Sequence, residues 1–268
     1  MQQIPTVVKP SYVITSVDHA LRLVQMLRDN GSVGLTQAAT ELGVSPSTVH
    51  RMMAMLVYRG FALQDLDRRY VAGPAMSVPP VAIPWANELR SVCRPHLELL
   101  ASRVEETVNL MVRVGSKVRF LDSVEGHMAL RIGDRTGSVL DAHQASGGKA
   151  LLAEADPQTL DRLFRSKSAQ LAGAEMSDAQ FARFQRELAG FRAQGYAVNH
   201  EESEVGIHAV GMALHDPSGW AFAAISVAAP TFRSERIFSK HAIAIIDASR
   251  REMEADIEAA GLAETFQR

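Results

Sequence analysis

The chain has 268 residues, of which 47% are hydrophobic and 22% are charged, and its formal net charge is −2. A protein of this composition can bury a core without disulfides, and the length predicts two domains or one large one. The single cysteine, Cys93, excludes an intramolecular disulfide framework and cysteine-based zinc clusters, so we expect a cytoplasmic location. No run is apolar for long enough to cross a bilayer, and we expect no membrane partner.

The first predicted helix follows residues 1–15, which we expect to be a flexible N-terminus. Ser16 can cap this helix and Gly31 can close it. Its buried face is expected to hold the apolar residues at helical spacing, which are Val17, Ala20, Leu21, Val24 and Leu27. We expect this helix to support the segment that comes next.

Residues 35–56 have the spacing of a helix-turn-helix. Gly43 stands where the chain must turn in a left-handed conformation, and Ser45 and Pro46 are a typical N-cap and first residue of a second helix. The first helix would bury Ala38, Ala39 and Leu42, and the second would bury Val49, Met52, Met53 and Leu56. This pattern predicts either a DNA-recognition hairpin or a helical hairpin inside some other core.

The polar side chains left facing outward are those that a recognition helix needs. Short hydrogen-bonding residues and an arginine at the leading end of such a helix enter the major groove and contact base edges. The predicted DNA contacts in the hairpin are Thr36, Ser45, Ser47, Thr48, His50 and Arg51. Residues 1–77 contain seven lysine and arginine residues against five aspartate and glutamate residues, so this segment is slightly basic and the rest of the chain acidic.

A small β-hairpin is predicted after the second helix of the motif. The alternating run FALQD, the polar turn LDRR and the run YVAG have the pattern of two short strands. Helices followed by such a wing make a winged helix-turn-helix, in which Arg68 and Arg69 at the tip would lie near phosphates or the minor groove. The alternative is an ordinary solvated turn.

The sequence predicts a domain boundary in residues 74–84, where four prolines interrupt the periodicity. We therefore expect a DNA-binding domain over residues 16–74, a linker over 75–90 and a second domain over 91–268. Within the second domain, strands are predicted around the turn Gly115-Ser116, in MALRIG, and in three segments between residues 196 and 230. Helices are predicted before, between and after them, the last from about residue 234 to 260. Segregated helices on an antiparallel sheet define an α+β fold.

Several of these segments together resemble the IclR family of bacterial transcription regulators, over nearly the whole chain. The matching motifs are SVDHALRLVQML, ELGVSPSTVHRMMAMLVYRGF, YVAGP, RPHLELLASRVEETVNLMV, HQASGGKALLA, GYAVNHEESEVGIHAVGMALHD and AAISVAAPTFR. The resemblance implies an N-terminal winged helix-turn-helix, a linker and a GAF-like effector domain. It also implies a dimer or tetramer that binds double-stranded DNA at a palindromic operator, with no cofactor, no metal and no catalytic residue.

The resemblance also implies where a small-molecule effector binds. The family's pocket lies on the sheet face covered by the Gly-Lys motif, Gly148-Lys149 in this chain, where the first backbone amides of a helix favour a carboxylate. Carried over by motif, the residues of the lining are Ser146, Gly147, Asn199, Ala209, Ser226 and Ala228.

The chain departs from the family pattern at this pocket. Members that sense small keto-acids tend to have an acidic residue at the position of Asn199 and hydroxyl or thiol groups at the positions of Ala209 and Ala228. Alanine widens the site and makes it less polar, which predicts a larger ligand, an aromatic acid or amide. Apolar side chains expected against its ring are Met111, Phe120, Leu130 and Phe222. The prolines of the linker also put the family's usual linker helix in doubt for residues 74–84.

Two other classes of function compete with a regulator. A hydrolase is disfavoured because the chain has no G-x-S-x-G elbow and no H-E-x-x-H motif, although Ser146 stands in a glycine-rich turn. A metal on His143, His200, His208 and His215 is disfavoured because their spacing matches no standard ligand set. A ligand-binding module without DNA binding stays open, because the first domain has few lysines and DNA affinity depends chiefly on phosphate neutralisation.

Overall fold

A computed structural model describes residues 12–65, 67–77, 85–166, 169–170 and 173–262. Most of the expected flexible N-terminus, and residues 78–84 of the expected linker, lie outside the described residues. The chain divides into two compact units between Pro79 and Pro80, and each unit is described by itself. No helix in the described ranges is long and apolar enough to cross a membrane.

The first unit combines helices with a small antiparallel sheet. Its helices are α1 (Thr15–Asn30), α2 (Leu35–Leu42), α3 (Pro46–Tyr58) and the single turn α4 (Pro74–Ser77). Its strands are β1 (Ser32–Val33), β2 (Ala62–Gln64) and β3 (Tyr70–Ala72), in the order β1-β3-β2. The β2–β3 hairpin is the predicted wing, and β1 is a short strand for which the sequence gives no signal.

The buried face of α1 differs from the prediction. The helix begins at Thr15 and no side chain caps it, so Ser16 is not the cap. Leu23, Met26 and Leu27 are buried, whereas Val17 and Leu21 are exposed. Apolar residues occur on two sides of this helix, so periodicity alone does not decide which side meets the core. Gly31 closes the helix with a positive φ, as predicted.

The second unit is built on a six-stranded antiparallel sheet in the order β6-β5-β4-β9-β8-β7. The strands are β4 (Thr107–Val114), β5 (Lys117–Val124), β6 (Val139–Asp141), β7 (Ala197–His200), β8 (Ile207–His215) and β9 (Ala221–Pro230). The predicted α+β class is confirmed. The predicted MALRIG strand is wrong, because residues 128–133 form irregular structure, and the strand that pairs with β5 is β6 instead.

Helices cover both faces of this sheet. One face packs against α5 (Ala86–Val104) and α9 (Lys240–Ala259), and the other packs against α6 (Ser146–Ala153), α7 (Pro157–Phe164) and α8 (Asp178–Gln194). Alternation along β4 sends Leu110 to the first face and Met111 to the second. The second face carries the candidate ligand pocket.

The first helix of the second unit, α5, is one continuous helix with Pro95 inside it. The expected last helix is divided, because a 3-10 helix over Thr231–Arg236 precedes α9, and Ser239 caps α9 by accepting a hydrogen bond from the amide of Ala242.

Candidate nucleic-acid interface and ligand pocket

The turn between α2 and α3 has the local chemistry that the sequence predicts. Gly43 closes α2 in the left-handed conformation, with φ of 69°. Ser45 caps α3 by accepting a hydrogen bond from the amide of Thr48, and Pro46 occupies the first turn. Val49 and Met53 are fully buried against α1 and α2, which fixes the orientation of α3 in the unit.

The outer face of the hairpin is polar and open to solvent. Thr36, Ser45, Ser47, Thr48, His50 and Arg51 are all exposed. The Ser45 hydroxyl also lies 2.9 Å from the hydroxyls of Ser47 and Thr48, so these three groups form one hydrogen-bonded cluster at the N-terminus of α3. His50 and Arg51 follow one turn further along the helix. The leading end of α3 thus presents hydroxyls, an imidazole and a guanidinium together.

The two arginines of the wing differ in their contacts. Arg68 is exposed at the turn, with φ of 60°. Arg69 reaches across the small sheet, where Nε donates to the Ser32 hydroxyl at 2.6 Å and Nη2 donates to the Ser32 carbonyl at 3.2 Å. Arg69 therefore ties the wing to β1, a structural role that the sequence does not predict.

This difference predicts separate outcomes for the two alanine variants. If Arg68 contacts a phosphate, Arg68→Ala should weaken binding to all DNA sequences alike and lower the salt dependence of binding by about one unit of slope. Arg69→Ala should also lower the thermal stability of the first unit, because it removes the bonds to Ser32. Titrations at several salt concentrations, together with thermal melts, test both. A sequence-selective loss for Arg68→Ala would contradict its assignment to phosphate.

The second unit contains a pocket between its sheet and the start of α6. It is lined by Asn109, Met111, Phe120, Arg135, Leu140, Ala145, Ser146, Asn199, Ser203, Ile207, Ala209, Ser226 and Ala228. Seven of the expected effector residues lie in this lining: Ser146, Asn199, Ala209, Ser226, Ala228, Met111 and Phe120. Their contact with an effector stays a prediction.

Three expected residues lie outside the lining. Leu130 is 63% exposed in the irregular segment that was expected to be a strand. Phe222 packs on the opposite face of the sheet beside Trp85, with ring centroids 6.5 Å apart. Gly147 is absent from the lining, and a Cβ added to it would stand 2.4 Å from the sulfur of the lining residue Met111. Leu130 and Phe222 are therefore not part of this pocket, contrary to the sequence expectation.

Close backbone contact places the N-terminus of α6 on the sheet. A Cβ at Gly211 of β8 would stand 2.4 Å from the backbone of Ser146 and 2.5 Å from that of Gly147, so only glycine allows this approach. The first amides of α6 have no partner within the helix, and Ser146 lies at the pocket. The helix end can therefore offer backbone donors to an anion.

Three polar lining residues were missing from the sequence prediction. Asn109 is buried, accepts a hydrogen bond from Ser123 at 2.8 Å and donates to Ser226 at 3.3 Å. It stands two positions before Met111 on the same strand face, so the alternation of β4 carries a signal for it. Arg135 and Ser203 come from irregular segments, which carry no such periodic signal.

The lysine of the Gly-Lys motif, Lys149, is buried and lies outside the pocket lining. The Lys149 Nζ atom lies 2.8 Å from Glu187 and 2.6 Å from Glu202, and it donates to the Val198 carbonyl at 3.2 Å. The amide of Glu202 donates to the Asn199 side chain in turn. Lys149 therefore bonds to internal partners, and through Glu202 it helps to position the pocket residue Asn199.

The four histidines considered as metal ligands do not come together in one group. His143 packs between Phe164 and Phe184, and His215 bonds to Glu254. His200 and His208 face each other on adjacent strands, with ring centroids 5.0 Å apart. Within the described residues, no group of three or more His, Cys, Asp or Glu side chains is placed to hold a metal ion.

The chain matches two known protein domains, one in each of its two units. Residues 16–66 match the IclR helix-turn-helix domain, and residues 85–254 match the bacterial transcriptional regulator IclR C-terminal domain. The chain is 33% identical over 239 residues to the HTH-type transcriptional regulator BhcR of Paracoccus denitrificans, covering 88% of this chain and 85% of that protein. It is 28% identical over 225 residues to the transcriptional repressor IclR of Escherichia coli, covering 82% and 81%.

Solved structures share the fold. The Thermotoga maritima IclR structure matches with a TM-score of 0.56 at 24% identity, over 91% of this chain and 99% of that one. An IclR homologue from Microbacterium hydrocarbonoxydans in complex with 4-hydroxybenzoate matches with a TM-score of 0.57 at 22% identity, over 91% and 99%. The matched families and relatives are transcription regulators rather than enzymes. The chain therefore belongs to the IclR family of DNA-binding, ligand-responsive transcriptional regulators.

Proposed function

We propose that this regulator binds a palindromic operator in double-stranded DNA as a dimer or tetramer and represses a catabolic operon in the cytoplasm. The observation that carries the DNA-binding part is the exposed polar and basic leading end of α3, held by the buried residues Val49 and Met53. A dimer doubles each contact across a two-fold operator, which compensates for a nearly neutral first domain. The relative from E. coli is a repressor, which supports repression rather than activation.

The domain roles in this proposal follow the sequence boundaries. Residues 16–74 bind DNA, residues 75–90 link the domains, and residues 91–268 bind the effector and hold the oligomer together. Effector binding changes the placement of two winged helices and so their fit to two half-sites. A coupling free energy of about 1 to 3 kcal/mol is sufficient, and DNA must change the effector affinity by the same factor.

The proposed effector is a small organic acid or amide with an aromatic body. Met111, Phe120 and Leu140 offer apolar contacts, while Asn109, Ser146 and Ser226 offer hydrogen bonds. The Microbacterium structure with 4-hydroxybenzoate supports an aromatic acid as a candidate class.

A gel-shift assay of the purified protein on its own upstream DNA, with and without benzoate-like and pyruvate-like acids, tests this function. We expect a specific complex that an aromatic acid alters, and calorimetric binding of that acid by the protein alone. Binding of only the short acids would refute the aromatic assignment. Failure of folded, oligomeric protein to form any specific complex at low salt would instead favour a ligand-binding module without DNA binding.

A further inference from the structure

The pocket wall carries one unexpected charge. Arg135 is the only lining residue with a formal charge among those that the structure describes. Its side chain is 16% exposed and belongs to the turn 135–138, in which the Ser138 amide donates to the Arg135 carbonyl. The Gly137 amide donates to the Phe120 carbonyl at 2.9 Å, so this turn is fixed to a pocket strand. A positioned cation in a mostly apolar lining favours an anion.

The partner of this cation is the carboxylate of Glu204, which comes from a second irregular segment. Arg135 Nη2 donates to Glu204 Oε2 at 2.5 Å, and Glu204 is 54% exposed. Glu204 lies in the loop between β7 and β8, the same loop that supplies Ser203 to the lining. The described contacts of Arg135 therefore use one nitrogen of a guanidinium that can offer two parallel donors to a carboxylate.

We propose that Arg135 anchors the carboxylate of the effector, and that Glu204 is an internal competitor which this carboxylate displaces. The inference rests on the proposed function of the pocket and adds the charge selectivity of that site. A half-exposed carboxylate contributes little to an ion pair, because solvent screens it and its side chain must be ordered. A ligand carboxylate held inside the pocket is better shielded and can engage Arg135 with both oxygens.

The exchange also supplies a route to a conformational signal. Two hydrogen bonds hold the ends of the loop 201–206. The Glu201 amide donates to the Ile207 carbonyl, and the Gly206 amide donates to the Glu201 carboxylate. Lys149 holds Glu202 in the same loop. The Arg135–Glu204 ion pair joins this loop to the turn 135–138, so a ligand that displaces Glu204 removes one connection between the two segments. An uncharged amide of the same shape would leave this ion pair intact.

Paired titrations with an acid and its amide test the proposal. Wild-type protein, Arg135→Gln and Glu204→Gln are titrated by calorimetry with benzoate and benzamide, and with pyruvate and pyruvamide. We expect Arg135→Gln to weaken binding of the acid by about 10-fold to 100-fold and to leave the amide unchanged, because one charge-assisted hydrogen-bonded contact is lost. Glu204→Gln should strengthen binding of the acid by about twofold to fivefold.

Two further variants make the result specific. Arg135→Lys keeps the charge and should retain a preference for the acid, which excludes misfolding as the reason for the loss in Arg135→Gln. Arg131→Gln is the matched control, because Arg131 lies in the same irregular segment and pairs with Glu125 outside the lining. Arg131→Gln should leave the affinities for the acid and the amide unchanged.

The outcomes distinguish this proposal from the proposed function. Equal loss of acid and amide in Arg135→Gln, or unchanged acid binding in Glu204→Gln, would overturn the exchange while the pocket assignment stands. Selectivity for pyruvate that still depends on Arg135 would support the exchange and refute the aromatic body. Binding of no acid by the wild-type protein would overturn both, while the DNA-binding part, measured without ligand, is tested separately.

Discussion

Replacing Lys149 by methionine should destabilise the second unit by about 3 kcal/mol, because it leaves two carboxylates without the buried cation that compensates their charge. The Lys149 side chain is 2% exposed and joins α6 to Glu187 of α8 and to Glu202 beyond β7. Methionine keeps most of the apolar stem, so the change isolates the ammonium group. Both glutamates reach solvent, which keeps the cost near the lower end for a broken buried pair.

The loss should depend on pH in a defined direction. Burial acts to raise the pKa of Glu202, but the hydrogen bond and charge of Lys149, with backbone amides, hold this pKa below its ordinary value of 4.5. A carboxyl with a lowered pKa contributes stability that is complete above its ordinary pKa and is lost as the pH falls through the lowered one. The stability difference between wild type and Lys149→Met should therefore shrink as the pH falls below about 4.5.

Urea unfolding followed by tryptophan fluorescence measures this difference. Both tryptophans of the chain, Trp85 and Trp220, lie in the second unit, so the signal reports that unit. Lys240→Met is the matched control, because Lys240 is exposed at the start of α9 and should change stability by less than about 0.5 kcal/mol. Adding Glu187→Gln and Glu202→Gln to Lys149→Met should restore part of the loss. A Lys149→Met protein as stable as the control would contradict this structural role of Lys149.

The helix-turn-helix could be predicted from the sequence because its determinants are local. The positive φ at Gly43, the cap at Ser45 and the proline at the first turn each act within a few residues. The stripe of Val49 and Met53 then follows from helical spacing alone. In contrast, α1 presents apolar residues on two sides, and only packing against α3 and the sheet selects the buried one.

The lining residues that the family resemblance implies agree with the structure where strand alternation determines which side chains share a face. Ser226 and Ala228 share one face of β9, opposite Ile225 and Val227. Phe222 would lie on the pocket face by the same alternation. A bulge breaks the pattern, because Leu214 pairs with Ala223 and His215 pairs with Ala221, and the extra residue turns to the other face.

The contacts that join distant irregular segments could not be predicted in this way. Arg135 and Glu204 are 69 positions apart, and neither belongs to a helix or strand. Leu130 was misplaced for a related reason, since its apolar run resembles a strand but has no partner strand in the sheet. Such pairs depend on the tertiary fold rather than on local propensity.

Replacing Arg51 by alanine should weaken binding to the specific operator by about 1 to 3 kcal/mol for each bound chain, if its guanidinium contacts a guanine in the major groove. Arg51 is exposed on α3, one turn after the hydroxyl cluster around Ser45. The loss should be largest on the operator and small on unrelated DNA, because a base contact carries sequence information and a phosphate contact does not. Fluorescence anisotropy at one fixed salt concentration measures both affinities.

Arg103→Ala controls for the change of net charge. Arg103 is exposed on α5 in the second unit, so this substitution removes the same charge outside the helix-turn-helix. It should change operator affinity by less than about 0.5 kcal/mol, in line with an ordinary surface substitution. A further arm uses operators in which single guanines are replaced. Replacing the guanine that Arg51 contacts should weaken binding by the wild-type protein and leave binding by Arg51→Ala unchanged, because the base replacement and the alanine substitution remove the same contact. Equal losses for Arg51→Ala on every DNA would instead assign Arg51 to the phosphate backbone.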